Sequence, residues 1–512
     1  MFLTIFISIS LLVQIESSRI LAVFPTPLIS HQSVHRSIIN ELLHRGHDIV
    51  LITPLPEYPQ GDSPENLTEI DVSNVTNEVW EKRYIQTIST KDSFINEDFK
   101  NILRIATKVV EKQFESKEIK SFINNNETFD LLLLETWIRP TLFWTYIYDV
   151  PVISVSSQGS IFNDYADIGG PTHPLLYPTS LQRDVWNENL WQKILELNHY
   201  WKLNSMLNEL EIEEDALAKK LFGDVPPLKE QKKKVELLVL NVHPAWQGGR
   251  PVPKNVLHLG ATHLLDRNKS MHMSPQLEEI LDLSTAGVVY VSQGTNVRPS
   301  TIPEHLKSKL IRAFSKLPCS VIWKWDEDIK DLPYNVRLGK WFPQAALLNH
   351  PNVNLFISQC SQQSIDEAIA AAVPVLGLPQ SGDQWRNAEL LVHHQVGATV
   401  DLETIGDEEL RNIIEFTMKN QSYRTNMHRL RTAIFDAPAS APVRAADAIE
   451  YVLRHSSAMI VSPSRHVPWF QYFEIELLII VTTILCVKIF VLYKLLRYLF
   501  REMFQKWPCT AL

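Results

Sequence analysis

The sequence lacks the residue patterns that several common protein classes require. Its four cysteines are far apart, without the spacing of a zinc site, a redox pair or a disulfide framework. No Gly-x-Gly-x-x-Gly element follows a predicted strand, which argues against a nicotinamide or flavin enzyme. The net charge is −9, and the basic cluster Lys232–Lys234 is expected to be a solvated loop, so no nucleic-acid partner is predicted.

Apolar segments at both ends of the chain predict membrane targeting. The segment Phe2–Val13 is apolar and leads to small polar residues, which predicts a signal peptide over residues 1–18. Residues 475–493 are mostly apolar and long enough for a spanning helix, and the tail 494–512 that follows is rich in Lys and Arg. The positive-inside rule places this tail in the cytosol and the bulk of the chain in the lumen. A buried core helix is the alternative for 475–493, but its length and basic flank favour an anchor.

Five Asn-x-Ser/Thr sequons agree with a lumenal position, although each is weak alone. The predicted glycosylation sites are Asn66, Asn74, Asn126, Asn268 and Asn420.

The most informative stretch is a predicted strand, turn and helix in the C-terminal half. Val353–Ser358 is a short apolar run typical of a buried parallel strand, and a polar turn leads from it into the helix Ser364–Ala372. The free N–H groups and dipole of such a helix start suit a diphosphate. Glu367, one turn inside, can accept hydrogen bonds from two ribose hydroxyls, and Trp341 offers a flat surface for a base. Asp383-Gln384 follows the next predicted strand, at the same edge of the sheet.

These motifs resemble those of the UDP-glycosyltransferases, a family with two Rossmann-like domains (the GT-B fold). The resemblance rests on Trp341-x-Pro343-Gln344, Leu347-Leu348-x-His350-Pro351, Val373-Pro374, and Asp383-Gln384 with Asn387-Ala388. It implies that Trp341 stacks on uracil, that Gln344 meets the uridine, that Glu367 binds ribose, that Ser364 touches the phosphates, and that Asp383 and Gln384 hold the sugar hydroxyls. The other residues predicted to bind the UDP-sugar are Ser292, Thr295, Gln359, Cys360, Ser361 and Gln363.

One turn departs from the family pattern. Where the family usually has His-Gly-Gly, this chain has Gln359-Cys360-Ser361. Gln359 resembles the insect and baculoviral branch and is expected to donate its amide to a phosphate. Side chains at Cys360 and Ser361 are expected to hold the diphosphate away or to require an unfavourable φ. This leaves open a second interpretation, a small-molecule binding protein that has lost turnover.

The N-terminal half contains a candidate general base. His31 lies at the predicted start of a helix at the carboxyl edge of a parallel sheet, where such folds bind ligands. The helix dipole there disfavours a positive charge, so the imidazole tends to stay neutral and able to accept a proton, as a general base requires. By resemblance, His31 deprotonates the acceptor hydroxyl, and Glu135, which stands where the family commonly has Asp, orients it. From the residues alone, His31 could equally be a helix cap.

The predicted fold is α/β, with two Rossmann-like domains and a transmembrane helix. The order is a signal peptide (1–18), an acceptor-binding domain (19–243), a linker (244–253), a UDP-sugar-binding domain (254–440), a crossover helix with a pre-membrane segment (441–474), a transmembrane helix (475–493) and a cytosolic tail (494–512). Asp326-Glu327-Asp328 contains the Asp-x-Asp of metal-dependent glycosyltransferases of a different fold, but a solvated turn is the expected role.

The expected function is inverting transfer of a hexose, by resemblance glucose, from a UDP-sugar to a hydroxyl of a small lipophilic acceptor, as in detoxification or in hormone or pigment conjugation. The UDP-sugar is a co-substrate, and neither a cofactor nor a metal is expected, since His35, His393 and His394 lack metal-site spacing. Residence in the endoplasmic reticulum membrane is implied by the resemblance, which leaves homo-oligomer formation open.

Overall fold

The computed structural model describes residues 17–58, 62–81, 97–183, 187–265, 272–295, 298–455 and 461–505. Most of the predicted signal peptide and the sequon at Asn268 lie outside these ranges. The chain divides into two compact units, Met1–Val461 and Ser462–Leu512.

The first half of the larger unit is built on a sheet of seven parallel strands. Its strands are β1 (Arg19–Val23), β2 (Asp48–Thr53), β3 (Leu67–Asp71), β4 (Leu131–Glu135), β5 (Val152–Ser156), β6 (Val235–Leu240) and β7 (Val256–His258). They lie in the order β3-β2-β1-β4-β5-β6-β7. The central strands β1, β4 and β5 are apolar runs buried on both faces, as a parallel sheet covered by helices requires.

A second sheet of six parallel strands forms the other half. Its strands are β8 (Val288–Ser292), β9 (Ser320–Lys324), β10 (Val336–Gly339), β11 (Val353–Ser358), β12 (Val375–Gly377) and β13 (Gly397–Thr399), in the order β10-β9-β8-β11-β12-β13. The two parallel sheets confirm the α/β class. One predicted boundary is wrong: Val256–His258 was assigned to the second domain, but it pairs with β6 because its apolar residues extend the first sheet.

Helices cover both sheets. In the larger unit they are α1 (Ile29–His44), α2 (Ser73–Trp80), α3 (Glu97–Glu115), α4 (Lys117–Asn124), α5 (Asp164–Asp167), α6 (Leu190–Phe222), α7 (Leu228–Lys232), α8 (Pro244–Gln247), α9 (Pro275–Leu283), α10 (Glu304–Ser315), α11 (Gln344–Leu348), α12 (Gln362–Ala370), α13 (Gln384–His393), α14 (Asp407–Lys419), α15 (Gln421–Phe435) and α16 (Ala441–His455). Short 3-10 helices span Arg139–Tyr146, Thr262–Leu264 and Pro299–Thr301.

The last helix of this unit, α16, packs against the first half although it follows the second sheet in sequence. Ala445 and Ile449 of α16 join Ile38 and Leu42 of α1 in one buried apolar cluster. Arg45 at the end of α1 pairs with carboxylates of α16. The chain therefore ties the two halves together twice, through the linker and through α16.

The smaller unit contains α17 (Trp469–Tyr472) and α18 (Ile475–Gln505), with a 3-10 helix at Pro463–His466. The segment Ile475–Met503 is long and apolar enough to cross a membrane. The helix continues beyond residue 493, where the sequence predicted the span to end, because the basic residues Lys494 and Arg497 are good helix formers.

Candidate active site

The first part of the site is a histidine at the start of α1. The loop after β1 ends at Leu28, and His31 lies in the first helical turn, with its N–H donating to the carbonyl of Leu28. Its side-chain Nδ1 is 3.3 Å from Oε1 of Glu135. Because an ionised carboxylate only accepts hydrogen bonds, the hydrogen is assigned to Nδ1, which leaves Nε2 as the basic atom. His31 therefore has the geometry of an oriented general base.

Glu135, the last residue of β4, is fully buried and held from several sides. The Oγ1 of Thr26 lies 2.8 and 2.9 Å from its two oxygens, and Nε1 of Trp137 donates to Oε1 at 2.8 Å. Burial alone would raise the pKa of Glu135, but the hydrogen bonds with His31 and from Thr26 bring it below the usual range. Glu135 is thus an ionised, fixed partner for His31.

Aromatic side chains surround this pair. The ring of Trp137 meets His31 edge to face, with centroids 5.8 Å apart, and Trp80 packs on Trp137. His35, one turn after His31, stacks on Phe24, and burial lowers its pKa to about 4. His35 is therefore a neutral core residue.

The second part of the site is the turn between β11 and α12. Ser361 has an ordinary extended conformation, with φ −63° and ψ 148°, and its Oγ donates to Oγ of Ser364 at 3.1 Å. Cys360 has φ +70°, in the left-handed region that favours glycine. The expectation of an unfavourable φ therefore applies to Cys360 and is wrong for Ser361.

The side chain of Cys360 does not face the cradle formed by this turn. It is fully buried in the apolar core, its N–H donates to Oγ of Ser358 at 3.1 Å, and its carbonyl accepts from Asn387 at 3.0 Å. Burial raises the pKa of its thiol, and the charge of Asp383 acts in the same direction. A Cys360 side chain directed into the core does not hold a diphosphate away from the turn, so that part of the expectation is wrong. Contact between Cys360 and the UDP-sugar stays a prediction.

Glu367, the predicted ribose ligand, is held by two partners. Its Oε2 accepts from Nε2 of Gln344 at 2.8 Å, and its Oε1 lies 3.2 Å from Nε2 of His263. Gln344 also donates to Ser364 at 3.1 Å and accepts from the hydroxyl of Tyr290. The sequence motifs brought Gln344, Ser364 and Glu367 together correctly. They did not indicate His263, which lies in the short 3-10 helix Thr262–Leu264 after β7, outside any motif.

Trp341, the predicted base platform, is 59% exposed. The Nζ of Lys324 lies 4.6 Å from the ring centroid and donates to the carbonyl of Gly294 at 2.8 Å. Burial lowers the pKa of Lys324, while Asp326 and Glu367 act in the opposite direction. Lys324 ends β9 and was not predicted, because a lysine at a strand end carries no motif.

Asp383 and Gln384 begin α13. An oxygen of Asp383 accepts from Asn387 at 3.0 Å, while Oε1 of Gln384 accepts the N–H groups of Gln380 and Ser381 and so shapes the preceding loop. Burial raises the pKa of Asp383 to about 6, a shift that a positive charge on His31 would oppose.

Several predicted ligands make hydrogen bonds within the protein. Nε2 of Gln363 donates to the carbonyl of Ser157 in the first half at 2.8 Å and so links the two halves, while its contact with the UDP-sugar stays a prediction. Gln359 is buried with its amide group against Gly294. Oγ of Ser292 accepts from the N–H of Gly294, and Thr295 is partly exposed in the same loop.

The sequons differ in their settings. Asn74 and Asn126 are exposed, and Asn420 caps α15 through its oxygen. The amide nitrogen of Asn66, the atom that a glycan would occupy, donates to the carbonyls of Leu43 and His47 at 3.0 and 2.9 Å.

The fold and the site together define a GT-B glycosyltransferase. Solved structures agree: the UDP-bound UDP-glucose:anthocyanidin 3-O-glucosyltransferase matches 86% of this chain and 99% of its own with a TM-score of 0.58 at 15% identity, and the kitacinnamycin glycotransferase matches with a TM-score of 0.58 at 16% identity.

The chain belongs to the UDP-glycosyltransferase family, since the profile described as "UDP-glucoronosyl and UDP-glucosyl transferase" matches residues 19–508. Among relatives, the ecdysteroid UDP-glucosyltransferase of Spodoptera littoralis nuclear polyhedrosis virus is 33% identical over 470 residues, 88% of this chain and 91% of the relative. UDP-glucosyltransferase 2 of Dactylopius coccus is 26% identical over 481 residues, 93% and 92% of the two chains. The predicted family and enzyme class are confirmed.

Proposed function

We propose that this UDP-glycosyltransferase transfers glucose, with inversion, from UDP-glucose to a hydroxyl of a small lipophilic acceptor. The observation that carries the proposal is the His31–Glu135 pair, with Nδ1 of His31 3.3 Å from Oε1 of Glu135. Glucose as the sugar is supported by the names of the viral and insect relatives, which are glucosyltransferases.

In the proposed reaction, Nε2 of His31 takes the proton of the acceptor hydroxyl, and Glu135 stabilises the resulting imidazolium. The hydroxyl oxygen forms a bond to the anomeric carbon of glucose while the bond from that carbon to UDP breaks on the opposite face, which inverts the configuration. The departing UDP carries the negative charge. The N–H groups and dipole at the start of α12, rather than a metal ion, stabilise that charge.

The acceptor class is supported by the surroundings of the base. Trp137 and Trp80 give the region around His31 an apolar, aromatic character that favours lipophilic molecules over sugars or peptides. Several relatives are named ecdysteroid UDP-glucosyltransferases, which makes a hydroxylated steroid a specific candidate beside phenols. A role in detoxification or in hormone or pigment conjugation would follow.

We also propose that the chain is a glycosylated type I protein of the endoplasmic reticulum membrane, with both halves of the larger unit in the lumen. The apolar helix Ile475–Met503 and the Lys and Arg residues near its C-terminal end support this orientation.

The alternative is a binding protein that has lost turnover, and the left-handed φ of Cys360 is the observation in its favour. The buried position of the Cys360 side chain weighs against it, because that side chain does not obstruct the phosphate cradle.

The test uses the full-length protein purified in detergent, with UDP-glucose and a panel of phenols and hydroxysteroids. Release of UDP together with a glucosylated product of inverted configuration is the expected result, with UDP-galactose and UDP-glucuronic acid as comparison donors. Saturable acceptor binding without UDP release would support the alternative and overturn the proposed activity. The His31→Ala variant separates enzymatic UDP release from spontaneous hydrolysis.

A further inference from the structure

The connection that follows β7, residues 259–265, reaches the donor half through a segment with a constrained backbone. Gly260 and Ala261 both have positive φ, +90° and +52°. The N–H of Ala261 donates to Asp366 of α12 at 3.2 Å. The N–H and Oγ1 of Thr262 both donate to Oδ1 of Asn241, at the end of the first sheet, at 3.1 and 2.6 Å. The segment is therefore bound to both halves of the unit.

This backbone fixes the position of His263, the next residue. Its side chain is buried, and its Nε2 lies 3.2 Å from Oε1 of Glu367. Its Nδ1 has no hydrogen-bond partner in the part of the chain that the structure describes. The bond to Glu367 is thus the one side-chain hydrogen bond found for this ring, and the hydrogen is assigned to Nε2 because the carboxylate accepts.

The contact determines how Glu367 can meet a ligand. A carboxylate has about four lone-pair directions, two on each oxygen. His263 uses one on Oε1, and Gln344 uses one on Oε2. One direction on each oxygen is left, as a ligand with two adjacent hydroxyls requires. Without His263, Gln344 alone would hold the carboxylate, which could then rotate more freely about its last torsion, whose energy profile is broad.

We propose that His263 is a positioning residue of the donor site, which holds the Glu367 carboxylate in the orientation that binds the two hydroxyls of a ribose. The inference rests on the proposed function, in which Glu367 meets a uridine nucleotide. His263 does not touch the substrate. It acts through Glu367. Because the residues just before His263 bond to both halves, the orientation of the Glu367 carboxylate depends on the arrangement of the two halves.

The test compares binding of UDP and 2′-deoxy-UDP by calorimetry, with full-length protein in detergent. The variants are His263→Phe, which keeps an aromatic ring without a donor, and His263→Gln, whose amide nitrogen can replace Nε2. The matched control is His305→Phe, since His305 forms a similar pair with Glu403 at 3.0 Å but is largely exposed on the surface. Thermal unfolding of each variant is measured in parallel.

His263→Phe is expected to weaken UDP binding roughly tenfold, as for loss of a charge-assisted hydrogen bond, while 2′-deoxy-UDP binding changes much less. His263→Gln and His305→Phe should keep the wild-type preference for UDP. If His263→Phe folds and weakens both ligands equally, or keeps the preference, the positioning role is wrong. If wild-type protein itself binds both ligands equally, the assignment of Glu367 to ribose fails, and the inference fails with it. If His263→Phe does not fold, His263→Gln decides: its loss of the UDP preference would overturn the proposed role of a donor at this position.

Discussion

The thiol of Cys360 fills the space beside Gly377, so that a Cβ placed on Gly377 would lie only 2.7 Å from the sulfur. Cys360 reaches this position from a backbone with φ +70°. Cys360 lies two residues after the end of β11, and Gly377 is the last residue of β12, which pairs with β11 in parallel. The sulfur thus occupies volume that the absence of a side chain at 377 leaves open.

We expect Gly377→Ala to destabilise the protein through this contact. Overpacking a core costs about 1–3 kcal/mol, and the same change should cost much less in a Cys360→Gly background, where the sulfur is absent. Chemical denaturation of the four proteins in this cycle measures the coupling free energy. Additive costs would mean that the contact with the Cys360 sulfur contributes nothing to the cost of Gly377→Ala. UDP affinity should stay close to wild type in Cys360→Gly, because the thiol faces the core.

The His31–Glu135 pair predicts separate effects on turnover and on nucleotide binding. His31→Ala should lower turnover by about 10²- to 10⁴-fold, the usual contribution of a general base, with UDP affinity nearly unchanged because the nucleotide residues lie in the other half. Glu135→Gln should also lower turnover strongly, since a neutral amide cannot stabilise the imidazolium. Rates and calorimetric UDP affinities decide. Equal losses in both quantities would show that the substitutions damage the fold instead.

The strand and helix pattern was largely predictable from the sequence, but the hydrogen-bond partners of individual side chains were not. Val353–Ser358 was predicted with its observed bounds because a short apolar run between polar turns has one plausible structure in this setting. Helix periodicity places Gln363 beside Glu367, but it cannot reveal that the amide of Gln363 donates to the carbonyl of Ser157 in the other half. Contacts between residues distant in sequence, including His263 with Glu367, depend on the domain arrangement.

The platform role of Trp341 can be tested by truncation. Trp341→Ala should weaken UDP binding roughly tenfold, within the range for loss of a base–aromatic stack, and Trp341→Phe should weaken it less. The matched control is Tyr334→Ala, an aromatic residue of the same half that is 87% exposed. Fluorescence titration with UDP gives the affinities. A Trp341→Ala protein that binds UDP as well as the Tyr334→Ala control does would exclude stacking at this position.

The membrane proposal predicts that truncation before Ser462 yields a protein that needs no detergent and retains UDP binding, since the unit Met1–Val461 contains both sheets and α16. For the full-length chain in intact microsomes, added protease should remove only the C-terminal tail. Digestion of the bulk of the chain under these conditions would reverse the proposed orientation.

Asp383 predicts a pH dependence that is specific to the sugar. Its pKa is raised to about 6, so the carboxyl is ionised above that pH and takes up a proton below it. A protonated carboxyl accepts fewer hydrogen bonds from sugar hydroxyls, so affinity for UDP-glucose should fall as the pH drops from 7.5 to 5. The control ligand is the methyl ester of UDP, which lacks the sugar and, like UDP-glucose, has no terminal phosphate that titrates near pH 6. Buried Asp366, whose pKa is also about 6, bonds to Gln362 and to the N–H of Ala261 and is present with both ligands.

One unit below the pKa of Asp383, the ratio of UDP-glucose affinity to control affinity should be reduced by up to about tenfold. In Asp383→Asn, this affinity ratio should be low and should not change with pH. A wild-type ratio that stays constant from pH 7.5 to 5 would show that Asp383 does not hold the sugar as a carboxylate.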